Sequence, residues 1–148
     1  MDPKQDKSSQ PRAGEGLHGI QRFWPLDDGA WGYGIVADIG TAELTCRLYS
    51  IETDEMLGEI IRPNPQISFG KSIAERLAAI QDGALEEMRG QIEEELVSMF
   101  SELAQAVDIS LSQIETIIVC GNTVMECIAG GTDPCVLAES FEEGKGLF

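Results

Sequence analysis

Three short segments rich in apolar residues stand between residue 34 and residue 61. The first segment is almost wholly apolar before one acid and a Gly-Thr pair, which is typical of a strand inside a sheet. In the second segment Leu44, Cys46 and Leu48 are separated by polar residues, as in a strand with one buried face. The pattern predicts three antiparallel strands, at 34–41, 44–49 and 56–61.

Helical periodicity begins near Ser72, after the prolines at 63 and 65 end the third strand. A short helix ends at Asp82-Gly83, and a longer helix follows. The apolar residues of the two helices recur at steps of three and four: Ile73, Leu77 and Ile80, then Leu85, Met88, Ile92, Leu96, Met99 and Leu103. The glutamates of the longer helix fall largely off its stripe, which indicates a solvated face and not a metal site.

The segment 114–120 is dense in β-branched residues and predicts a second buried strand. Gly121, Asn122 and Thr123 follow at once, and Asn or Thr here caps a helix that ends at Gly130-Gly131. Ligands in α/β sheets gather at strand ends of this kind, although simple helix capping also explains the residues. The whole pattern predicts an α/β fold, a mixed sheet with an antiparallel hairpin start and packed helices.

Asp38 is the strongest candidate for chemistry because it stands inside the first apolar segment. We expect that central strand to pack on both faces, so its carboxylate carries a desolvation cost unless a cation meets it. Magnesium on a nucleotide is such a cation. Gly40 lets the backbone approach closely, and Thr41 adds a hydroxyl and an N–H for phosphate oxygens. The same string also fits a hairpin turn between two strands.

Length and charge narrow the range of functions. The chain has 148 residues and 43% hydrophobic content, enough for one domain with its own core. Its 26 acids against 10 bases give a net charge of -16, which argues against nucleic-acid binding because that needs a basic face. No apolar run reaches the roughly 18 residues that span a membrane, and no signal-peptide layout opens the chain, so we expect a cytoplasmic protein.

Residues 1–32 are expected to form a flexible N-terminal arm and lead-in, because the first 19 hold almost no apolar surface. Residues 33–148 are expected to form the folded lobe. His18 has no acid or cysteine placed to make it a ligand or a base. The cysteines lack the usual metal-binding spacings, so we expect reduced thiols, with a metal or redox role for the last three as the alternative: Cys46, Cys120, Cys127 and Cys135.

Several motifs stand in one order along the chain: Asp38-Ile39-Gly40-Thr41, the hairpin strands, Asn64-Pro65-Gln66 with Gly70, the acidic helix, and Val119-Cys120-Gly121-Asn122-Thr123-Val124-Met125. This order resembles the reductive activators of corrinoid proteins, over about residues 33–137. That family belongs to the superfamily of sugar kinases, actin and heat-shock chaperones. Its members use ATP to drive reduction of a cobalt(II) corrinoid to cobalt(I). The resemblance implies a ribonuclease-H-like lobe of an actin-like ATPase.

The resemblance also implies roles for individual residues. Asp38 is expected near the magnesium, Gly40 and Thr41 at the terminal phosphates, and 121–123 along the cleft. ATP and magnesium are the implied cofactors, and a corrinoid protein is the implied partner. Ala42 and Glu43 stand where the family usually continues with further Thr, and the Glu43 charge is expected to weaken nucleotide binding.

The superfamily closes two lobes on its nucleotide, and the second brings another phosphate loop and the adenosine pocket. This sequence has the motifs of the first lobe, without an iron–sulfur domain, so we expect no iron–sulfur cluster. We expect a fragment or one half of a split protein, which requires a second lobe or self-association and does not hydrolyse ATP by itself. The alternative functions are a non-catalytic docking module for a corrinoid protein or partner lobe, and a small thiol-based metal or redox protein.

Overall fold

The computed structural model describes residues 32–136. The predicted arm and lead-in at 1–32 lie outside the described residues apart from Gly32. The elements within this range are β1 Tyr33–Ile39, β2 Glu43–Ser50, β3 Met56–Pro63, α1 Ile73–Gln81, α2 Leu85–Ala106, β4 Ile114–Gly121 and α3 Thr123–Ala129. Two short 3₁₀ segments, Pro65–Phe69 and Leu111–Gln113, precede α1 and β4. The elements predicted from periodicity are thus confirmed in order and type.

The sheet has the strand order β3-β2-β1-β4. β1 pairs antiparallel with β2, β2 pairs antiparallel with β3, and β1 pairs parallel with β4. Ile39 at the end of β1 lies in register with Gly121 at the end of β4. The expected α/β class, a mixed sheet with an antiparallel start, is confirmed, and the carboxyl ends of two parallel neighbours meet at one edge.

One face of the sheet forms the core against α2. The inward residues of β1 and β2 are wholly buried: Ile35, Ala37, Ile39, Leu44, Cys46 and Leu48. The apolar stripe of α2 covers them, and its buried members are Met88, Ile92, Leu96, Met99, Leu103 and Ala104. Gly58 of β3 admits this helix closely, because a Cβ there would lie 3.2 Å from Leu103 Cδ2.

The starts of α1 and α3 carry side-chain caps. Ser72 caps α1 by accepting from the Glu75 N–H, and Glu75 accepts from the Ser72 N–H in return, which completes a capping box. The hydrogen bonds that the Glu75 carboxylate accepts from the Ser72 and Lys71 N–H groups hold the pKa of that carboxyl below its usual value. Asn122 caps α3 by accepting from the Met125 N–H at 3.1 Å. No helix among residues 32–136 is long and apolar enough to cross a membrane.

Two expectations about burial are wrong. β4 was predicted to be a buried strand, yet Ile117, Ile118 and Val119 are 50%, 37% and 43% exposed within the part of the chain that the structure describes. β4 is the last strand of the sheet there and pairs only with β1. β1 is central, but its outer face is uncovered at its carboxyl end, where Asp38 is exposed. Apolar residues predict a strand without indicating which elements cover it.

Candidate functional site

Two polar turns meet at the carboxyl edge of β1 and β4. Residues 40–42 join β1 to β2, and Gly121 with Asn122 joins β4 to α3. The Asn122 side-chain Nδ2 donates to the Thr41 hydroxyl at 3.3 Å. The structure therefore brings the residues predicted for the site to one edge, although they come from sequence positions some 81 residues apart.

Gly40 and Gly121 make room for this meeting. A Cβ on Gly40 would lie 2.6 Å from the Glu43 carbonyl oxygen, and a Cβ on Gly121 would lie 2.8 Å from the Ile39 carbonyl oxygen. Both obstacles are backbone atoms, which cannot swing aside as a flexible side chain does. The two glycines are therefore required by the close approach of neighbouring backbone segments.

Asp38 stands at the end of β1 on the open face of the sheet, in register with Thr45 and Cys120. The expectation of a buried, desolvated carboxylate is wrong, because no described element covers that face. Burial raises the pKa of the neighbouring Cys120 thiol, and the Asp38 charge raises it further. Asp38 instead presents an accessible carboxylate beside the two turns.

The turn at 40–42 is held from its inner side. Asn64 donates from its side-chain Nδ2 to the Gly40 carbonyl at 2.7 Å and from its backbone N–H to the Ala42 carbonyl at 2.8 Å. Arg76 donates from Nη2 to the Thr41 carbonyl. Three successive carbonyls thus accept from residues that are wholly buried. The Asn-Pro-Gln motif and Arg76 form the support of the turn.

Gln66 links that support to the helices. Its Nε2 donates to the Met88 carbonyl at 3.0 Å, and its Oε1 accepts from Arg76 at 3.2 Å. The Gln66 N–H also donates to the Asn64 side chain at 2.9 Å. Sequence reasoning missed Arg76, although a signal was available: it lies with Ile73, Leu77 and Ile80 on the inward stripe of α1, where a charged residue is unusual.

The second turn carries negative charge. The Gly121 N–H donates to the Glu126 carboxylate at 3.2 Å, so this N–H already has an anionic partner. Glu43 is exposed at the start of β2, and Thr123 is exposed at the start of α3. With Asp38, three carboxylates stand around the edge where the strands end. An anionic ligand alone would be repelled there, whereas a ligand that includes a cation would not.

The donor set fits magnesium carried on a phosphate better than a protein-built metal centre. Within residues 32–136 no group of three or more His, Cys, Asp or Glu side chains is placed to hold a metal ion. Mg²⁺ commonly takes one or two protein carboxylates and fills its other positions with water and substrate phosphate oxygens. The exposed Asp38 carboxylate suits that kind of coordination.

Among the cysteines, Cys46 lies in the core, where its Sγ is 3.9 Å from Met99 Sδ. Burial raises the pKa of the Cys46 thiol to about 11. Cys120 donates towards the Ala37 carbonyl at 3.5 Å. Neither thiol is in the electropositive setting that activates cysteine, so the two behave as packing residues.

Comparison with known proteins gives a consistent result. A family model described as the RACo middle region matches residues 33–141. The corrinoid activation enzyme RamQ of Eubacterium limosum is 30% identical over 95 residues, which make up 63% of this chain and 16% of that enzyme. A solved structure of a reductive activator for corrinoid, iron-sulfur protein matches with a TM-score of 0.65 at 22% identity, over 68% of this chain and 16% of that one. The structural match shows a shared fold, and the chain spans a small part of each relative's length.

Proposed function

Because this chain belongs to the RACo middle region family, we propose that it is the nucleotide-binding lobe of an ATP-dependent reductive activator of corrinoid proteins. The relatives named above, one for corrinoid activation and one for activating a corrinoid, iron-sulfur protein, support the reaction class. The observation that carries the nucleotide part is the hydrogen bond between Asn122 and Thr41, which joins the two polar turns beside the Asp38 carboxylate.

Each residue of the edge has a chemical task in this proposal. Asp38 takes one position on the magnesium ion, directly or through water. The Thr41 hydroxyl and neighbouring N–H groups donate to phosphate oxygens, and the Asn122 amide keeps Thr41 in place. Magnesium supplies the positive charge that offsets both the triphosphate and the surrounding carboxylates. Binding is therefore expected to need magnesium.

One lobe has only part of what ATP hydrolysis requires. Phosphoryl transfer depends on groups that surround the transferred phosphate and exclude water. The turns described here contact a ligand from one side, and the open face beside Asp38 leaves the other side to solvent. In this proposal a second lobe, or a second copy of the chain, completes the cleft, and the lobe by itself binds nucleotide without turning it over.

Isothermal titration tests the nucleotide part. Mg-ATP is titrated into the chain alone and into the chain mixed with the remainder of a longer activator, with EDTA as the metal-free arm. Asp38→Asn is expected to weaken Mg-ATP binding by about tenfold or more, because one charged ligand is lost. Glu94→Gln, at an exposed acid of α2, removes the same charge away from the edge and is the matched control. The proposal is rejected if Mg-ATP binds neither to the chain alone nor to the chain mixed with the remainder of a longer activator.

A second candidate function is a docking module for a corrinoid protein or a partner lobe. The apolar outer strand favours it, because Ile117 and Val119 stay 50% and 43% exposed on the sheet face that α2 covers elsewhere. Sedimentation of the chain with a purified corrinoid protein tests this function. Val119→Lys is expected to abolish a complex, and Val97→Lys, at a residue 60% exposed on α2, is expected to leave it intact. Equal sedimentation with and without the corrinoid protein would exclude it.

A further inference from the structure

Arg76 is a buried cation whose described partners are all neutral. Its side chain is fully buried. Nε donates to the Gly70 carbonyl at 3.1 Å, Nη1 donates to Gln66 Oε1 at 3.2 Å and approaches Met125 Sδ at 3.1 Å, and Nη2 donates to the Thr41 carbonyl. No carboxylate within residues 32–136 forms an ion pair with it.

A buried charge of this kind is costly to the fold. Protein interiors normally pair a charged side chain with an opposite charge, because desolvation costs several kcal/mol per ion. Burial lowers the pKa of the Arg76 guanidinium, which nevertheless keeps its proton because that pKa starts so high. The positive charge therefore persists directly behind the turn, where its described partners are carbonyl oxygens and one sulfur.

The supported turn presents its N–H groups on the opposite side. In a planar trans peptide the carbonyl of one residue and the N–H of the next point in opposite directions, and no described peptide bond is cis. The carbonyls of 40, 41 and 42 all point towards Asn64 and Arg76. The N–H groups of Thr41, Ala42 and Glu43 consequently point away from those partners. Within residues 32–136 we find no protein acceptor for the N–H groups of Thr41 and Ala42.

From these relations we propose that Arg76 is a positioning residue for a phosphate-binding turn, and that its buried charge is matched by a magnesium-bound polyphosphate held on the outer side of that turn. This inference rests on the proposed nucleotide function for its ligand, and on contacts within the protein for its mechanism. Arg76 acts through the Thr41 carbonyl and does not touch the ligand. The Asn64 and Gln66 side chains keep the guanidinium and the turn in register.

Met125 extends the role of Arg76 to the second turn. Its sulfur meets the guanidinium, and its N–H is capped by Asn122, which in turn donates to the Thr41 hydroxyl. The two turns are thus joined twice, once at the surface through Asn122 and once in the interior through Arg76. Loss of Arg76 is expected to make the turn at 40–42 more mobile and to leave the distant part of α2 unchanged.

The test compares Arg76→Met and Arg76→Lys with the wild-type chain. Magnesium tripolyphosphate is the titrant, because it presents the phosphates without the adenosine. Arg76→Met is expected to raise its Kd by about tenfold or more, and Arg76→Lys, which keeps the charge, to restore part of the affinity. Arg89→Met is the control, since Arg89 is a half-buried α2 arginine paired with Glu86 and Glu93, away from the turn. Urea unfolding identifies any variant that has lost its fold. If Arg76→Met is unfolded, the Kd of Arg76→Lys is compared with that of the wild type.

A ligand-free measurement separates this inference from the proposed function. Backbone ¹⁵N relaxation of Thr41 and Ala42 is expected to show an ordered turn in the wild type and a mobile one in Arg76→Met, with Ile92 and Leu96 of α2 unchanged. If the wild-type chain binds neither magnesium tripolyphosphate nor Mg-ATP, alone or mixed with the remainder of a longer activator, the nucleotide function fails and the relaxation still decides whether Arg76 positions the turn. Unchanged relaxation together with unchanged Kd in Arg76→Met overturns the inference.

Discussion

The side-chain amide of Asn122 donates to the Thr41 hydroxyl at 3.3 Å, while its carbonyl oxygen accepts from the Met125 N–H at 3.1 Å. One side chain thus caps α3 and fastens the turn after β1 to the turn after β4. The two tasks use different atoms of the same amide. This division allows them to be separated by substitution.

Asn122→Ser keeps a capping oxygen and removes the amide donor to Thr41, so the free energy of unfolding is expected to change little while Mg-ATP binding weakens. Asn122→Ala removes both atoms and is expected to cost about 1 kcal/mol of stability, the usual value of a helix N-cap. Urea unfolding and titration calorimetry measure the two effects. Equal losses of stability in the two variants would contradict the division of tasks.

Gly121→Ala is expected to destabilise the fold by about 1–3 kcal/mol, because the new Cβ would lie 2.8 Å from the Ile39 carbonyl oxygen. Gly90→Ala is the matched control, since apart from its neighbours and the backbone of its own helix no atom of the described residues lies within 4 Å of a Cβ at that α2 position. It is expected to stabilise the helix by about 0.5–1 kcal/mol. Thermal unfolding of both variants checks the prediction, which fails if they shift in the same direction.

Asn64→Ala is expected to lower the free energy of unfolding by about 2–4 kcal/mol. The change leaves the Gly40 carbonyl and the Gln66 N–H without their side-chain partners in a region where Asn64 is wholly buried. Ser68→Ala, which removes an exposed hydrogen bond to the Pro65 carbonyl at 3.2 Å, is expected to cost far less. Urea unfolding gives both values, and similar losses would show that burial does not decide the cost.

The Cys46 thiol is expected to make stability fall at alkaline pH. Its pKa is raised by burial from 9.0 to about 11, so the folded protein holds the proton more tightly than the unfolded chain. The contribution is complete below pH 9.0 and is lost as the pH rises through about 11. Unfolding of wild type and Cys46→Ala across this range measures the difference, with Cys127→Ala as control. A difference independent of pH would contradict the assignment.

Thiol reactivity gives an independent measurement for the same residue. Ellman's reagent is expected to modify the partly exposed Cys127 in the folded protein, and Cys46 only after unfolding. Mass analysis of the modified peptides identifies the order. Early modification of Cys46 would show that the core opens more readily than its burial indicates.

The periodic part of the sequence was sufficient to predict the elements. The alternation of Leu44, Cys46 and Leu48 predicted β2, and the stripe from Leu85 to Leu103 predicted α2, because these periods follow from local backbone geometry. Gly40 was also recognised as a site of close backbone approach, whereas Gly121 was recognised only as part of a polar turn. The roles of Asn64 and Gln66 were not predicted, since their partners are Gly40, Met88 and other residues distant in the chain.

By itself, the sequence determined which segments become strands and helices and where the polar turns stand, because those properties depend on neighbours along the chain. Only the tertiary structure decided that Asp38 is exposed, that β4 is an outer strand among the described residues, and that Arg76 lies buried behind Thr41. Burial and charge pairing depend on which elements pack over a residue. That packing is set by contacts between distant segments, which no local pattern specifies.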